Sequence, residues 1–289
     1  MSIQLIVDTG CDLPKHIIDE YNIEVLPLVV HVNDNEFYDK ETIQPSTLYT
    51  EMKNGAVPKT SQVPPDRMKQ LFQKLAENNQ PAIYITLSSE LSGTYQTACL
   101  MKEQVIEEGF NPELQIVDSK SASLGYGLIA YYLATKMAES ELDLQRATSI
   151  THSLINKIEH IFTVDDLEYL VRGGRVSKAA GFVGGLLKIK PVLHMEEGKL
   201  FPIEKVRGRK KVLSRLIELI NERGQNFDQQ TIAISHADDL TRANELKEMI
   251  ESEFKVKNVM VNTIGCAIGA HSGPGTLAVY FLNGSPDSE

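Results

Sequence analysis

The sequence predicts an α/β fold in two parts: a parallel-sheet α/β domain over residues 1–155 and a mixed α+β domain over residues 156–289. Three observations predict it. The length suits about two domains at roughly 100–200 residues each. Short apolar runs alternate with segments periodic at three and four residues through the first half, the pattern of a parallel sheet covered by helices. Near residue 155 the texture changes to a glycine-rich basic stretch, a hairpin signal and further helix–strand pairs.

Taken in order, "IQLIVD" reads as the first strand and "LPKHIIDEYN" as a helix. "IEVLPLVVHV" reads as a second strand, "AIYITL" as a third and "LQIVDS" as a fourth. "PDRMKQLFQKLAENN", "LSGTYQTACLMKEQVIEEG", "SASLGYGLIAYYLATKMAESE" and "DLQRATSITHSLINKIE" carry helical spacing. In the second half "IFTVDD" is a strand, and "IKPVLHMEEGKLFPIEKV" is two strands around the turn "EEGK". "KKVLSRLIELINERG" is a helix stopped by glycine. The strand "QTIAISHA", the helix "LTRANELKEMIESEF" and the strands "KNVMVNTIG" and "GTLAVYFLN" complete the chain.

The composition, 42% hydrophobic and 24% charged, is that of a soluble globular protein. No apolar run approaches the ~20 residues that span a bilayer. The opening "MSIQLIVDTGCDLP" reads as a strand, not a signal peptide. Cys11, Cys99 and Cys266 are odd in number and far apart, which gives neither a disulfide framework nor zinc spacing and points to a reducing cytoplasm. The net charge of −10 argues against bulk nucleic-acid binding. That average hides twelve Lys or Arg against three acids from Arg172 to Arg215, either a solvated basic face or a surface for an anionic ligand or acidic partner.

Two segments place hydroxyls where a helix is expected to begin: Thr60-Ser61-Gln62, and Ser88, Ser89, Ser92 and Thr94 around Gly93. Ser and Thr cap helices. A helix N-terminus also leaves free N–H groups that suit a carboxylate or phosphate, and Gly93 would admit a ligand to the backbone. His271 stands in "GAHSGPG", read as a loop, where packing does not explain an imidazole. Asp8 and Asp12 could hold a metal, though Asp12 reads better as a helix cap. Cys11 reads as a small buried residue, with no basic neighbour evident. "GPGTLA" fits the dinucleotide fingerprint in letters but precedes a strand instead of a helix. No Walker loop and no G-x-S-x-G elbow are present.

The segments "VDTGCDLP", "KTSQVPP", "SSELSGTYQTA", "IVDSKSASLGYG", "LEYLVRGGRVSKAAGFVGGLLKIKPVL", "EKVRGRKK" and "GAHSGPGTLAVYF", in this order and spacing, resemble the DegV family over almost the whole chain. These are bacterial fatty-acid-binding proteins, some of them the lipid-binding subunit of fatty acid kinase. The resemblance implies an apolar tunnel between two domains, holding one long-chain fatty acid. It implies that Thr60, Ser92 (or, less fittingly, Ser89) and His271 hold the carboxylate, with the Gly93 amide adding a bond. It implies kinase-facing arginines at Arg175 and Arg207 and no cofactor. Thr9 and Val63 depart from the family's usual residues but touch none of these positions.

The expected protein is thus a cytoplasmic lipid carrier, not itself an enzyme. Its partners would be a long-chain fatty acid, an ATP-dependent kinase subunit and, transiently, a membrane surface, with no nucleic acid. The alternative is a Ser–His lipid hydrolase using Ser92 and His271, against which the missing elbow and orienting acid count. A nucleic-acid-binding regulator using the basic block is a third reading, opposed by the acidity elsewhere.

Overall fold

The computed structural model describes residues 2–176 and 189–287. Strand β1 (Gln4–Asp8) carries the unbroken apolar run Leu5-Ile6-Val7 and is buried on both faces, as a central parallel strand must be. Asp8 accepts the Gly10 N–H (3.1 Å) and so caps a 3-10 turn over Thr9–Cys11. Asp12 ends that turn in the left-handed region (φ 54°). It does not cap α1 (Lys15–Glu20), which begins after Pro14 without a side-chain cap.

The run "IEVLPLVVHV" is two strands, not one. Strand β2 (Glu24–Leu26) pairs parallel with β1, and β3 (Val29–Val32) belongs to another sheet. Pro27 between them has no N–H to continue a ladder. Strand β3 turns through Asn33 and Asp34, both at positive φ, into β4 (Asn35–Tyr38). Helix α2 (Pro45–Lys53) follows, then β5 (Lys59–Ser61), which pairs with the other side of β3. Thr60 and Ser61 therefore lie in a strand. Helix α3 (Pro65–Glu77) starts only at the prolines beyond them and buries Met68, Phe72 and Leu75 along one stripe.

Strand β6 (Ala82–Thr86), helix α4 (Thr94–Glu107) and strand β7 (Leu114–Asp118) complete a parallel sheet of order β2-β1-β6-β7. Helix α5 (Leu124–Glu139) is buried along most of its length, and α6 (Leu144–Ile155) packs beside it.

The second half builds a six-stranded mixed sheet. Strand β8 (Ile158–Thr163) is followed by the short helix α7 (Glu168–Arg172). Strands β9 (Ile189–Glu196) and β10 (Lys199–Arg207) form the expected hairpin, turning through Glu197 and Gly198 at φ 48° and 79°. Helix α8 (Arg209–Arg223) ends at Gly224. Strand β11 (Thr231–His236), helix α9 (Leu240–Glu253), strand β12 (Asn258–Thr263), helix α10 (Cys266–Ser272) and strand β13 (Leu277–Leu282) follow. The strand order is β10-β9-β8-β13-β11-β12, antiparallel except for β11 with β12.

Period-two alternation gives this sheet two buried faces. Ile161, Ile232, Ile234, Val279 and Phe281 meet α8 and α9 on one side. Phe162, Ala233, Ala278 and Tyr280 face the other way and share one core with the parallel sheet. Helix α5 wedges between the sheets, touching β1 and β6 as well as β8, β11 and β13. No helix among the described residues is long and apolar enough to cross a membrane.

The segment read as the His271 loop is α10 itself, a seven-residue helix with His271 in its last turn. The glycine-rich basic stretch expected after Arg172 lies outside the described residues from position 177 to 188, Lys178 and Lys188 with it.

Candidate functional site

Between the parallel sheet and the inner face of the mixed sheet lies a cavity of about 520 Å³. Its walls are mostly apolar, with Leu87 and Leu91 from one half of the chain and Phe162, Leu170, Met195 and Leu200 from the other. Thr60, Ser92, Gly93, Arg175 and His271 all line it. Arg207 does not; it is exposed at the end of β10.

These residues form a ring of contacts. Thr60, paired opposite Val30 in the β3–β5 ladder, sets its Oγ1 2.6 Å from His271 Nε2. Gly173 gives His271 room: a Cβ there would collide with Nδ1. Arg175 folds back on the carbonyl of Gly173 and reaches the Leu91 carbonyl through Nε (3.2 Å). One residue on, Ser92 Oγ accepts the Thr94 N–H (3.2 Å) and lies 2.9 Å from Thr94 Oγ1, so it satisfies the first amide of α4 while the residue lines the cavity. The space expected beside Gly93 for a ligand is occupied by the Gln62 side chain, which goes on to donate to Thr97 Oγ1 (2.6 Å). Gln62 follows Thr60 by two residues and closes the ring.

Ser89 turns elsewhere. Its N–H donates to Asp118 Oδ1 (3.0 Å), its hydroxyl donates to the same carboxylate, and Lys120 donates to its Oγ (3.1 Å).

Burial pushes the His271 imidazole down to about 4, and the Arg175 guanidinium adds to the effect, so the ring is neutral at pH 7. A neutral imidazole has one donor and one acceptor nitrogen, which suits a chain of hydrogen bonds through Thr60. The histidine also feels the positive field that would attract an anion.

A second polar group in the wall was not read from the sequence. His160, pushed by burial to about 3, has Nε2 2.6 Å from Ser121 Oγ and sits edge-on to Tyr280 with ring centroids 5.4 Å apart. Tyr280 OH lies 3.0 Å from Ser235 Oγ, and Ser123 donates to Asp12 Oδ2 (2.7 Å). Protein atoms already satisfy all of these. Ser272 differs: it belongs to the wall of the same cavity, and its hydroxyl is buried with no hydrogen-bond partner. Its spacing of four from Ile268 was the available sequence signal, since both share one helix face.

Asp8 and Asp12 are fully buried, and desolvation raises both carboxyls to about 6 despite Lys40 nearby. Lys40 also acts on Cys11, which therefore does have a basic neighbour; burial still raises that thiol to about 12, far from a thiolate. No group of three or more His, Cys, Asp or Glu among the described residues is arranged to hold a metal.

The basic block is less bare than its sequence. Arg215 pairs with Glu204 (2.7 Å), Glu218 (2.9 Å) and Glu222 (2.8 Å). Lys190 pairs with Asp165 (3.1 Å), Lys199 with Glu90 (3.4 Å) and Arg209 with Asp239.

The family model described as "Uncharacterised protein, DegV family" matches residues 2–284. A DegV domain-containing protein of Clostridium perfringens is 36% identical over 281 residues, covering 96% of each chain. Among solved structures, a DegV family protein from Thermus thermophilus, described for its fatty acid binding, superposes with a TM-score of 0.87 at 28% identity, covering 97% of this chain and 99% of its own. A stearic acid-binding protein from Eubacterium ventriosum does so with a TM-score of 0.88 at 25% identity, covering 97% and 98%. With the family model spanning nearly every residue, this chain belongs to the DegV family.

Proposed function

We propose that this protein binds one long-chain fatty acid in the cavity between its sheets, with residues 1–155 and 156–289 as the two units that enclose it. Thr60, Ser92 and His271 hold the carboxylate, and the Gly93 amide at the start of α4 becomes a further donor where the Gln62 side chain gives way. The observation that carries this reading is the Thr60–His271 pair in the wall of an otherwise apolar cavity. The volume falls in the roughly 300–1,000 Å³ range of small-molecule sites. The relatives from Thermus thermophilus and Eubacterium ventriosum are described as binding fatty acids.

Charge on the acceptor strengthens each head-group hydrogen bond. The tail supplies most of the affinity, about 0.8 kcal/mol per buried CH₂, less the ordering costs of binding. A carrier role fits better than hydrolysis by Ser92 and His271. Ser92 Oγ is engaged with Thr94 and His271 Nε2 with Thr60, so the serine has no base at hydrogen-bond distance.

In this reading the protein presents the acid to a separate ATP-using kinase subunit. Arg207, exposed on β10, faces that partner, and Arg175, in the cavity wall, faces the acyl phosphate.

Mass spectrometry of the purified protein, native and after organic extraction, tests the ligand. A stoichiometric fatty acid is expected. A protein that arrives empty and takes up no added palmitic acid overturns the assignment.

A further inference from the structure

Helix α10 has seven residues and two glycines among its N-cap and interior, too little to hold a helix by itself. What holds it is a set of side chains from the first half. Asp39, fully buried just after β4, accepts the Cys266 N–H on Oδ1 (3.0 Å) and the Ala267 N–H on Oδ2 (3.1 Å). Asp12 Oδ1 accepts the Gly265 N–H (2.8 Å) and pairs with Lys40 (3.3 Å). Tyr49 OH donates to the Ile264 carbonyl (2.9 Å), and its ring fills the space left by Gly269. The opposite end of the helix carries His271, against Thr60.

Asp39 directly follows β4, and Thr60 lies in β5 of the same small sheet, β4-β3-β5. That sheet and the residue leaving it therefore grip α10 at both ends, by a carboxylate at its N-terminus and a hydroxyl at its histidine. Both Asp39 oxygens are engaged on successive amides, which fixes the rotation of the helix about its axis as well as its position. His271 lies five residue steps beyond Cys266, about 7–8 Å along the axis, so a tilt at one end is carried rigidly to the other.

We infer that Asp39 is a positioning residue for His271: its two-point grip on the N-terminus of α10 sets where the imidazole meets the ligand head group. This rests on the head-group reading above. The carboxylate acts through the helix and touches no ligand.

The test uses four variants of the full chain: Asp39→Asn, Cys266→Pro, His271→Ala and the double Asp39→Asn/His271→Ala. Asparagine keeps one acceptor and turns an N–H toward the other amide. Proline at the first helical position is tolerated but removes the N–H that Asp39 Oδ1 accepts, so it loosens the grip with Asp39 intact. Palmitic acid affinity is read by calorimetry on delipidated protein, and the His271 imidazole resonances by NMR.

Each single loosening variant should weaken palmitic acid binding about tenfold, the scale of one charge-assisted hydrogen bond, and shift the His271 resonances. The double variant should bind no more weakly than His271→Ala alone. Additive losses, or unmoved His271 resonances in both loosening variants, overturn the inference. If His271→Ala binds palmitic acid as well as the parent does, the head-group reading fails, while the resonance shift still decides whether Asp39 sets the imidazole. If Asp39→Asn does not fold, Cys266→Pro carries both readouts.

Discussion

Thr60 Oγ1 and His271 Nε2 lie 2.6 Å apart across 211 residues of chain, and this contact ties the small β4-β3-β5 sheet to the helix of the mixed domain. It is also where the cavity wall turns from apolar to hydrogen-bonding. Thr60→Val keeps the branched shape that a strand favours and removes only the hydroxyl. It should lower palmitic acid affinity about tenfold, with little change in melting temperature. Unchanged affinity by calorimetry would remove Thr60 from the head-group site.

In the proposed complex His271 should link binding to protons. Free, its imidazole is held near 4 by burial and by Arg175. A carboxylate beside it favours the charged form and raises that value. Between the free and the raised value the complex holds a proton that the free protein lacks, so affinity rises as pH falls through the raised value. Calorimetry at pH 6 in buffers of different ionisation enthalpy should report proton uptake on palmitic acid binding, and His271→Gln should abolish it. Proton release, or none in the parent protein, contradicts this geometry.

Arg175 and Arg207 should separate. Arg175 faces the cavity and depresses His271, so Arg175→Ala should raise the imidazole from about 4, as read by NMR titration. Arg207 is outside the cavity wall, and Arg207→Ala should leave palmitic acid binding alone while slowing acyl phosphate formation with a reconstituted kinase subunit. Normal turnover with Arg207→Ala would discard the partner-facing role.

Ser272 carries a buried hydroxyl with no partner, a group that costs stability until something accepts from it. Ser272→Ala should stabilise the ligand-free protein by about 1 kcal/mol, or roughly 2–4 °C. In the proposed complex the ligand accepts from this hydroxyl, so the substitution should also weaken palmitic acid binding. Scanning calorimetry with and without palmitic acid reads both signs; a lower melting temperature without ligand would mean that the hydroxyl already has a partner.

The sheets were legible where local chemistry decides them. The apolar run of β6, the stripe of Met68, Phe72 and Leu75 on α3, and the Glu197-Gly198 turn each state their structure within a few residues. The fold class followed from these. What stayed hidden was set by distant partners. Thr60 and Ser61 look like helix-starting hydroxyls, yet pairing with β3 makes them a strand. The stretch around His271 looks like a glycine loop, because nothing within it announces that Asp39 and Asp12, more than two hundred residues away, will accept its first amides. Likewise Gln62 takes the space beside Gly93 that local reading left for a ligand.

The last strand of the mixed sheet is not at its edge. Strand β13 lies between β8 and β11, pairing antiparallel with both. As the chain leaves the ribosome, β8 and β11 emerge with facing ladders that nothing can bridge until Leu277–Leu282 arrive. The cavity wall contributed by Ala278 and Tyr280 is laid down in the same moment. In the proposed role, lipid capture would therefore await the synthesis of β13, and a nascent chain stalled before it would expose two strand edges to whatever chaperone attends it.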